Sequence, residues 1–278
     1  MLAVLAVMLL VWYAAVPWMN FDAAQGLAED GAATSDIVWA TYALDRPLLP
    51  APHQIAVELF GSIFEHSVNS PKSLVFHAGV TAGAAALGFV LACVLGVALA
   101  VGIVHLRVLD RSMMPWIVAS QTVPVLAIAP MVVVVLGNLG LTGLLPKALI
   151  AGYLSFFPIA TAMVTGLRAS DPMQRDLMRT YSASGAQVFA KLRWPASVGF
   201  LFPSLKIAAA LSLVGAIVAE LPTGAQAGLG ARLLAGSYYG QTLQIWAALF
   251  MAAALALLAI RAVEIAGLVV MRRRGGRL

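Results

Sequence analysis

The chain has few side chains able to carry covalent chemistry. Cys93 is the only cysteine and lies inside an apolar run, which excludes an internal disulfide and a thiolate metal cluster. His53, His66, His77 and His105 are too scattered to suggest a metal site. No G-x-x-x-x-G-K-[ST] loop occurs, so ATP hydrolysis by that route is absent and no cofactor is expected in the chain. No nucleophile–base pair or paired carboxylates stand together within the apolar runs, so an enzyme is not expected. Two acids remain to be weighed, Glu220 and Glu264, each in or at the end of an apolar run. Arg261 and Glu264 are three residues apart, the spacing of a local helical ion pair.

The densest polar stretch is Ser170–Pro195, and its residues describe a shape rather than a reaction. Asp171-Pro172 is a helix start, with a capping side chain and proline at the first helical position. That helix is expected to run to about Tyr181 and to turn at Ser182-Ala183. Ser184-x-x-Gln187 has capping-box form and opens a second short helix. Lys191 and Arg193 lie near its C-terminal end, where they favour the dipole, and Pro195 is read as its stop. Two short helices at a sharp turn make a rigid knob that a soluble partner can grip.

The elements that hold this knob follow from composition. Only 10% of the 278 residues are charged, 62% are hydrophobic, and mean hydropathy is +0.93. A soluble domain carries roughly 25% charge. Asp, Glu, Lys and Arg are missing from 1–21, 73–106, 112–146, 148–167, 207–219 and 233–260. A helix needs about 20 apolar residues to cross a bilayer. The sequence therefore predicts an all-α integral membrane protein with six spans, near 1–19, 74–103, 116–137, 148–167, 200–221 and 243–264, Lys206 snorkelling at an interface. The first run lacks a basic n-region and a clean A-x-A site before Asn20, and reads as a retained helix.

Charge follows loop position. With both termini cytoplasmic, the inner segments 105–111, 168–193 and 271–278 carry eleven Lys and Arg residues, and the outer segments carry four (Arg46, Lys72, Lys147 and Arg232). The sequence pI of 9.7 is thus a topological signal, and no nucleic-acid partner is expected. The organisation read from this is an N-terminal helix 1–19, an external loop 20–73 with an amphipathic stretch at 54–68, a core 74–270 containing the loop 169–195, and a basic tail 271–278. Segment 20–50 reads as irregular.

Within the core, Gly79-xxx-Gly83 has the spacing associated with tight helix crossings, though glycines of this kind more commonly serve ordinary packing. The third span carries Pro115, Pro124 and Pro130, and a kink of that kind in a membrane is tolerated beside neighbours or a water-lined cavity. Gln121, Thr122 and Pro124 are therefore candidates for the wall of a pathway, with a bent packing helix as the alternative reading. Glu220 is a fourth, because intramembrane acids are functional by default, with solvation or a pair to Arg232 as the structural alternative. Tyr238, Tyr239 and Trp246 fit an interfacial aromatic belt.

The 176–195 stretch resembles the EAA loop of binding-protein-dependent ABC importer permeases, whose pattern is E-A-A-x-x-x-G-A-S followed by an aromatic and Leu-Pro. Asp176-Leu-Met stands at E-A-A, Ser182-Ala183-Ser184 at G-A-S, Phe189 at the aromatic and Trp194-Pro195 at Leu-Pro. Asp replaces Glu, and Ser182 replaces the glycine that takes a left-handed turn; a serine there costs about 1 kcal/mol. The resemblance extends over about 45–270, through Pro50-x-Pro52, Gln121-Thr-Val-Pro124, Phe157-Pro158 and Gly166-Leu167-Arg168. It is nearest the branch serving nitrate, taurine, other sulfonates and thiamine-precursor pyrimidines. Val214–Glu220 and Gly228-Leu-Gly-Ala-Arg232 look most like the pyrimidine members.

The resemblance implies a type I ABC importer permease fold in a bacterial inner membrane. It also implies that Asp176, Arg179, Ser182, Ala183, Ser184, Gly185, Phe189 and Pro195 form the loop that docks on an ATP-binding cassette subunit, which would hold ATP and magnesium. An extracytoplasmic substrate-binding protein and a second permease copy, as a homodimer, would complete the assembly in membrane lipid. The alternative is an ion-gradient-driven secondary transporter, for which the sequence supplies only Glu220 as a buried acid. A membrane-embedded enzyme would need His, Asp or Cys residues converging at one depth, and none do.

Overall fold

A computed structural model of the chain describes residues 2–28, 32–221 and 227–273. Pro222 and the basic residues Arg274 and Arg277 of the expected tail lie outside them, as do Glu29 and Asp30. The described residues form helices without strands: α1 Leu2–Gln25, α2 Thr34–Ala40, α3 Pro52–Phe64, α4 Leu74–His105, α5 Arg107–Ser120, α6 Val125–Asn138, α7 Leu144–Arg168, α8 Pro172–Thr180, α9 Gly185–Val188, a π-helical turn Phe189–Arg193, α10 Trp194–Glu220, α11 Leu229–Tyr238 and α12 Thr242–Arg273. Five are long and apolar enough to cross a bilayer: α1, α4, α7, α10 with the turns leading into it, and α12. The pair α5 and α6, bent by 103° at a short break, supplies a sixth when taken together. The chain divides into two packing units, 1–80 with 224–253 and 81–223 with 254–278.

In the first unit, the N-terminal helix runs past the expected boundary at residue 19 to Gln25, and α2 occupies part of the segment read as irregular. Apolar length marks only the membrane-sized part of a helix, and Ala23, Ala24 and Gln25 are good helix formers that carry it on. The irregular part is 41–51, and it is tied down by side chains. Asn20 is fully buried. Its Oδ1 accepts the Leu48 and Leu49 amides at 2.7 and 3.1 Å, and its Nδ2 donates to the Leu49 carbonyl at 2.8 Å. Trp12 donates to the Pro50 carbonyl at 3.0 Å and packs at a tilt against Trp246, ring centroids 5.0 Å apart. Such bonds satisfy loop backbone groups that would otherwise be costly to bury. The helix expected near 54–68 is α3, whose Ala51 amide is accepted by Gln54 at 2.9 Å.

His77 is also structural. Its Nε2 faces the Pro71 carbonyl at 2.8 Å, and its Nδ1 accepts the Gly228 amide at 3.0 Å, which fixes the neutral Nε2–H tautomer. Gly228 has φ +128°, a conformation that favours glycine. Arg232 donates to the Lys72 carbonyl at 3.5 Å; burial lowers its guanidinium pKa and Glu58 opposes the shift.

In the second unit, α7 is the central helix, packed by α4 on one side and α10 on another. The close approach of α4 lies away from the Gly79-xxx-Gly83 pair. Gly79 and Gly83 are exposed; a Cβ at Gly79 would meet nothing within 4 Å, and at Gly83 only Leu144 Cδ1 at 3.8 Å. The buried ridge is Ala84, Gly88, Ala92, Gly96 and Ala100, a small residue at every fourth position. A Cβ at Gly88 would lie 2.5 Å from the Ala148 carbonyl oxygen and 2.8 Å from the Gly152 amide nitrogen. On the α10 side, a Cβ at Gly215 would lie 2.7 Å from the Ala151 Cα. Backbones approach this closely only where both partners are small, so the spacing in one helix does not by itself locate the crossing.

The stretch expected as a third span is a sharply bent pair of helices rather than one kinked helix. Pro124 removes a donor and disfavours helix at Val123. Ser120 and Thr122 hydroxyls meanwhile bond back to the Ile117 and Ala119 carbonyls, at 2.7 and 2.8 Å. The 105–111 segment, expected as a connection, is mostly the first turns of α5, the break being confined to Leu106.

Candidate coupling and pathway sites

The knob is built from local signals that act in series. The Asp171 carboxylate accepts the Met173 amide at 2.9 Å and caps α8, with Pro172 at its first position. The helix ends in a Schellman arrangement: the Ala183 amide reaches the Met178 carbonyl at 3.0 Å and the Ser182 amide the Arg179 carbonyl at 2.8 Å. Ser182 occupies the left-handed position with φ +53°, the one non-glycine among the described residues with positive φ. Gly185 does not share the turn; it is the first residue of α9, and a Cβ there would meet open space. Ser184 caps α9 reciprocally with Gln187, accepting its amide at 3.3 Å and donating its own to Gln187 Oε1 at 2.8 Å.

Pro195 does not end the second helix. Residues Phe189–Arg193 form a π turn in which the Trp194 amide bonds to the Phe189 carbonyl, and α10 continues directly from it. One extra residue in the turn shifts the register, so Pro195 sits in the first turn of α10, where a missing amide is tolerated. The knob is thereby joined to a membrane-length helix by continuous helical backbone. Phe189 is half-buried, edge-on to His105 at 5.2 Å and 6.0 Å from Trp194, and so anchors the turn to the end of α4. Arg168 pairs with Asp110 at 2.8 Å, tying the end of α7 to the start of α5. Asp176 and Arg179 form an exposed pair at 3.2 Å, an arrangement that contributes little to stability.

Three further residues were not singled out from sequence. Met173, Leu177 and Tyr181, at i, i+4 and i+8 along α8 and its cap, are 80%, 56% and 77% exposed. Their spacing was the available signal, since residues four apart share a helix face.

The pathway candidates fall in two environments. Gln121, Thr122 and Pro124 are exposed in the α5–α6 break. Glu220 is not solvated. It is fully buried at the end of α10, accepts the Thr81 hydroxyl at 3.0 and 3.1 Å, and lies 3.5 Å from Lys147 Nζ. Three helices, α4, α7 and α10, meet in that cluster. Glu264 bonds Arg261 at 2.8 Å, as its spacing predicts, and also Lys206 on α10 at 3.1 Å.

Helices of membrane length, with α4 and α10 packed on α7 and a polar knob continuous with α10, define a multi-pass membrane protein. Residues 72–275 match the family model described as binding-protein-dependent transport system inner membrane component. The chain belongs to that family and is the permease subunit of an ABC importer, a multi-pass component of the inner membrane. The family implies an ATPase and a substrate-binding protein as partners. The chain is 31% identical to a formylaminopyrimidine transport permease protein of Halalkalibacterium halodurans over 70% of this chain and 74% of that one. It is 33% identical to a riboflavin transport system permease protein of Chloroflexus aurantiacus, covering 59% of this chain and 58% of the relative. A nitrate import permease protein of Synechocystis is 25% identical over 63% of this chain and 64% of the relative.

Proposed function

We propose that this permease carries a small polar or heterocyclic solute into the cytoplasm, driven by a separate ATP-binding subunit that docks on the α8–turn–α9 knob. The observation that carries the coupling reading is the unbroken helical path from Ser184 through the π turn into α10, because a push on the knob is then transmitted along a rigid helix. Closure of the ATP-binding subunits would move the knob, and the helices packed on α7 would rock with it. Asp176, Arg179, Ser182, Ala183, Ser184, Gly185, Phe189 and Pro195 form the knob in this reading, with Gly185 leaving room for the partner and Phe189 holding the turn in place.

A heterocyclic cargo is supported by the relatives named for formylaminopyrimidine and riboflavin, and a nitrate or sulfonate by those named for these anions. Gln121, Thr122 and Pro124 are assigned to the pathway wall, and Glu220 to the buried pair that holds one end of the pathway's helices. Two copies form the pathway, an external binding protein delivers the solute, and both termini are cytoplasmic, in keeping with the eleven-to-four distribution of basic residues.

The test is uptake in sealed vesicles carrying this chain with its ATP-binding subunit and binding protein, with candidate pyrimidines, riboflavin, nitrate and sulfonates as solutes. Uptake that requires ATP and survives collapse of the ion gradients supports the reading. Uptake that persists without ATP and stops with an ionophore replaces it with ion-driven transport.

A further inference from the structure

Behind the exposed face of α8 lies an open cleft of about 550 Å³, between α8, the α9 turn and the end of α4. Its polar lining is Arg175, Arg179, Arg193, His105 and Asp176, with Phe189 among the apolar residues. Three guanidiniums thus face one carboxylate, and that carboxylate is already engaged by Arg179 at 3.2 Å. Arg175 and Arg193 are half-buried, and the Arg193 Nε is buried with no hydrogen-bond partner. His105 has Nδ1 committed to the Val101 carbonyl at 2.8 Å. The cleft therefore has an excess of planar, permanently charged donors, the geometry that takes a carboxylate or phosphate in a two-pronged bond.

We infer that this cleft receives an aspartate or glutamate side chain of the ATP-binding subunit, which locks the knob in register while the Met173–Leu177–Tyr181 ridge supplies the apolar contact. The inference rests on the proposed docking of that subunit on α8 and α9. A lipid phosphate is the other source of matching chemistry. The protein carboxylate is favoured by the ridge on the same short helix, because exposed Met and Tyr beside Arg is the composition of a protein interface core.

The experiment measures binding of the purified ATP-binding subunit of this transporter to the full chain in nanodiscs of purely zwitterionic lipid, across a salt series. Wild type is expected to bind without anionic lipid and to weaken on the order of tenfold between low and high salt. Arg175→Glu and Arg175→Glu/Arg193→Glu are expected to weaken binding at low salt by on the order of tenfold or more, and to flatten the salt dependence. Arg175→Gln, which keeps the fold free of a new charge, should give an intermediate loss. Leu177→Asp should weaken binding at every salt concentration. Unchanged affinity and salt slope in the Arg variants, with wild type binding normally, overturns the cleft assignment and leaves the docking reading intact. Variants that lose only the retention of added anionic lipid also overturn it, in favour of a lipid site. Absence of wild-type binding at any salt refutes the docking reading itself.

Discussion

Replacing Gly88 by alanine is expected to separate the real crossing of α4 and α7 from the one its sequence spacing suggests. A Cβ at Gly88 would sit 2.5 Å from the Ala148 carbonyl oxygen, 2.6 Å from the Ala151 Cβ and 2.8 Å from the Gly152 nitrogen. Two of these three atoms are backbone, so no side-chain rotation relieves the clash and the helices must separate. Overpacking of this kind costs about 1–3 kcal/mol. Alanine is also a better helix former than glycine, by about 1 kcal/mol. Gly79→Ala isolates that second effect, because its Cβ meets nothing within 4 Å. Gly79→Ala should therefore be neutral or slightly stabilising, and Gly88→Ala should fall below it by the overpacking cost. For a chain of this size each kcal/mol shifts the melting midpoint by about 2–4 °C, so the two variants should differ by several degrees. Thermal denaturation in one detergent, followed by the loss of monodisperse protein on gel filtration, reads the difference. Gly88→Ala melting at or above Gly79→Ala would refute the packing described for α4 and α7.

Ser182→Gly should raise stability by about 1 kcal/mol by relieving the left-handed serine, and Ser182→Val should lower it by more, both read by the same melting assay. Glu220→Ala is expected to destabilise by about 3–5 kcal/mol, since it leaves Lys147 without its buried carboxylate, and Glu220→Leu combined with Lys147→Met should recover much of that loss. Equal melting of the single and double variants would show that the pair is not coupled. In a Cys93→Ser background, Leu177→Cys labelled with a photoreactive maleimide should cross-link to the ATP-binding subunit; cross-links confined to lipid or to this chain would remove the ridge from the docking face.

Local chemistry carried most of the knob's legibility. Asp171-Pro172 and Ser184-x-x-Gln187 announce their caps within four residues, and the structure places both bonds as the spacing requires. The apolar runs located the membrane helices for the same reason, as length and hydropathy are properties of one segment. What escaped depends on a partner distant in sequence or on a change of register. The crossing at Gly88 is set by Ala148, Ala151 and Gly152 on another helix. The partner of Glu220 is Lys147, which charge counting placed in a loop but which α7 carries in its first turn. Pro195 reads as a stop only if the helix keeps its ordinary register, and the π turn changes it. The break at Gln121–Pro124 needed Pro124 and the back-bonding Ser120 and Thr122 hydroxyls together; either one alone reads as a kink.

The most direct test of the central claim is purification of the chain from mild detergent on a C-terminal tag, with wild type, Gly185→Asp and Phe189→Asp compared for bound ATP-binding subunit and ATPase activity. Gly185 opens onto empty space, so its substitution leaves the chain intact and acts only on what docks there. The account predicts a stoichiometric ATP-binding subunit with wild type and its loss from both variants, with Gly185→Asp still monodisperse. Recovery of wild-type chain alone and without ATPase activity, or full retention of the subunit by both variants, would contradict it.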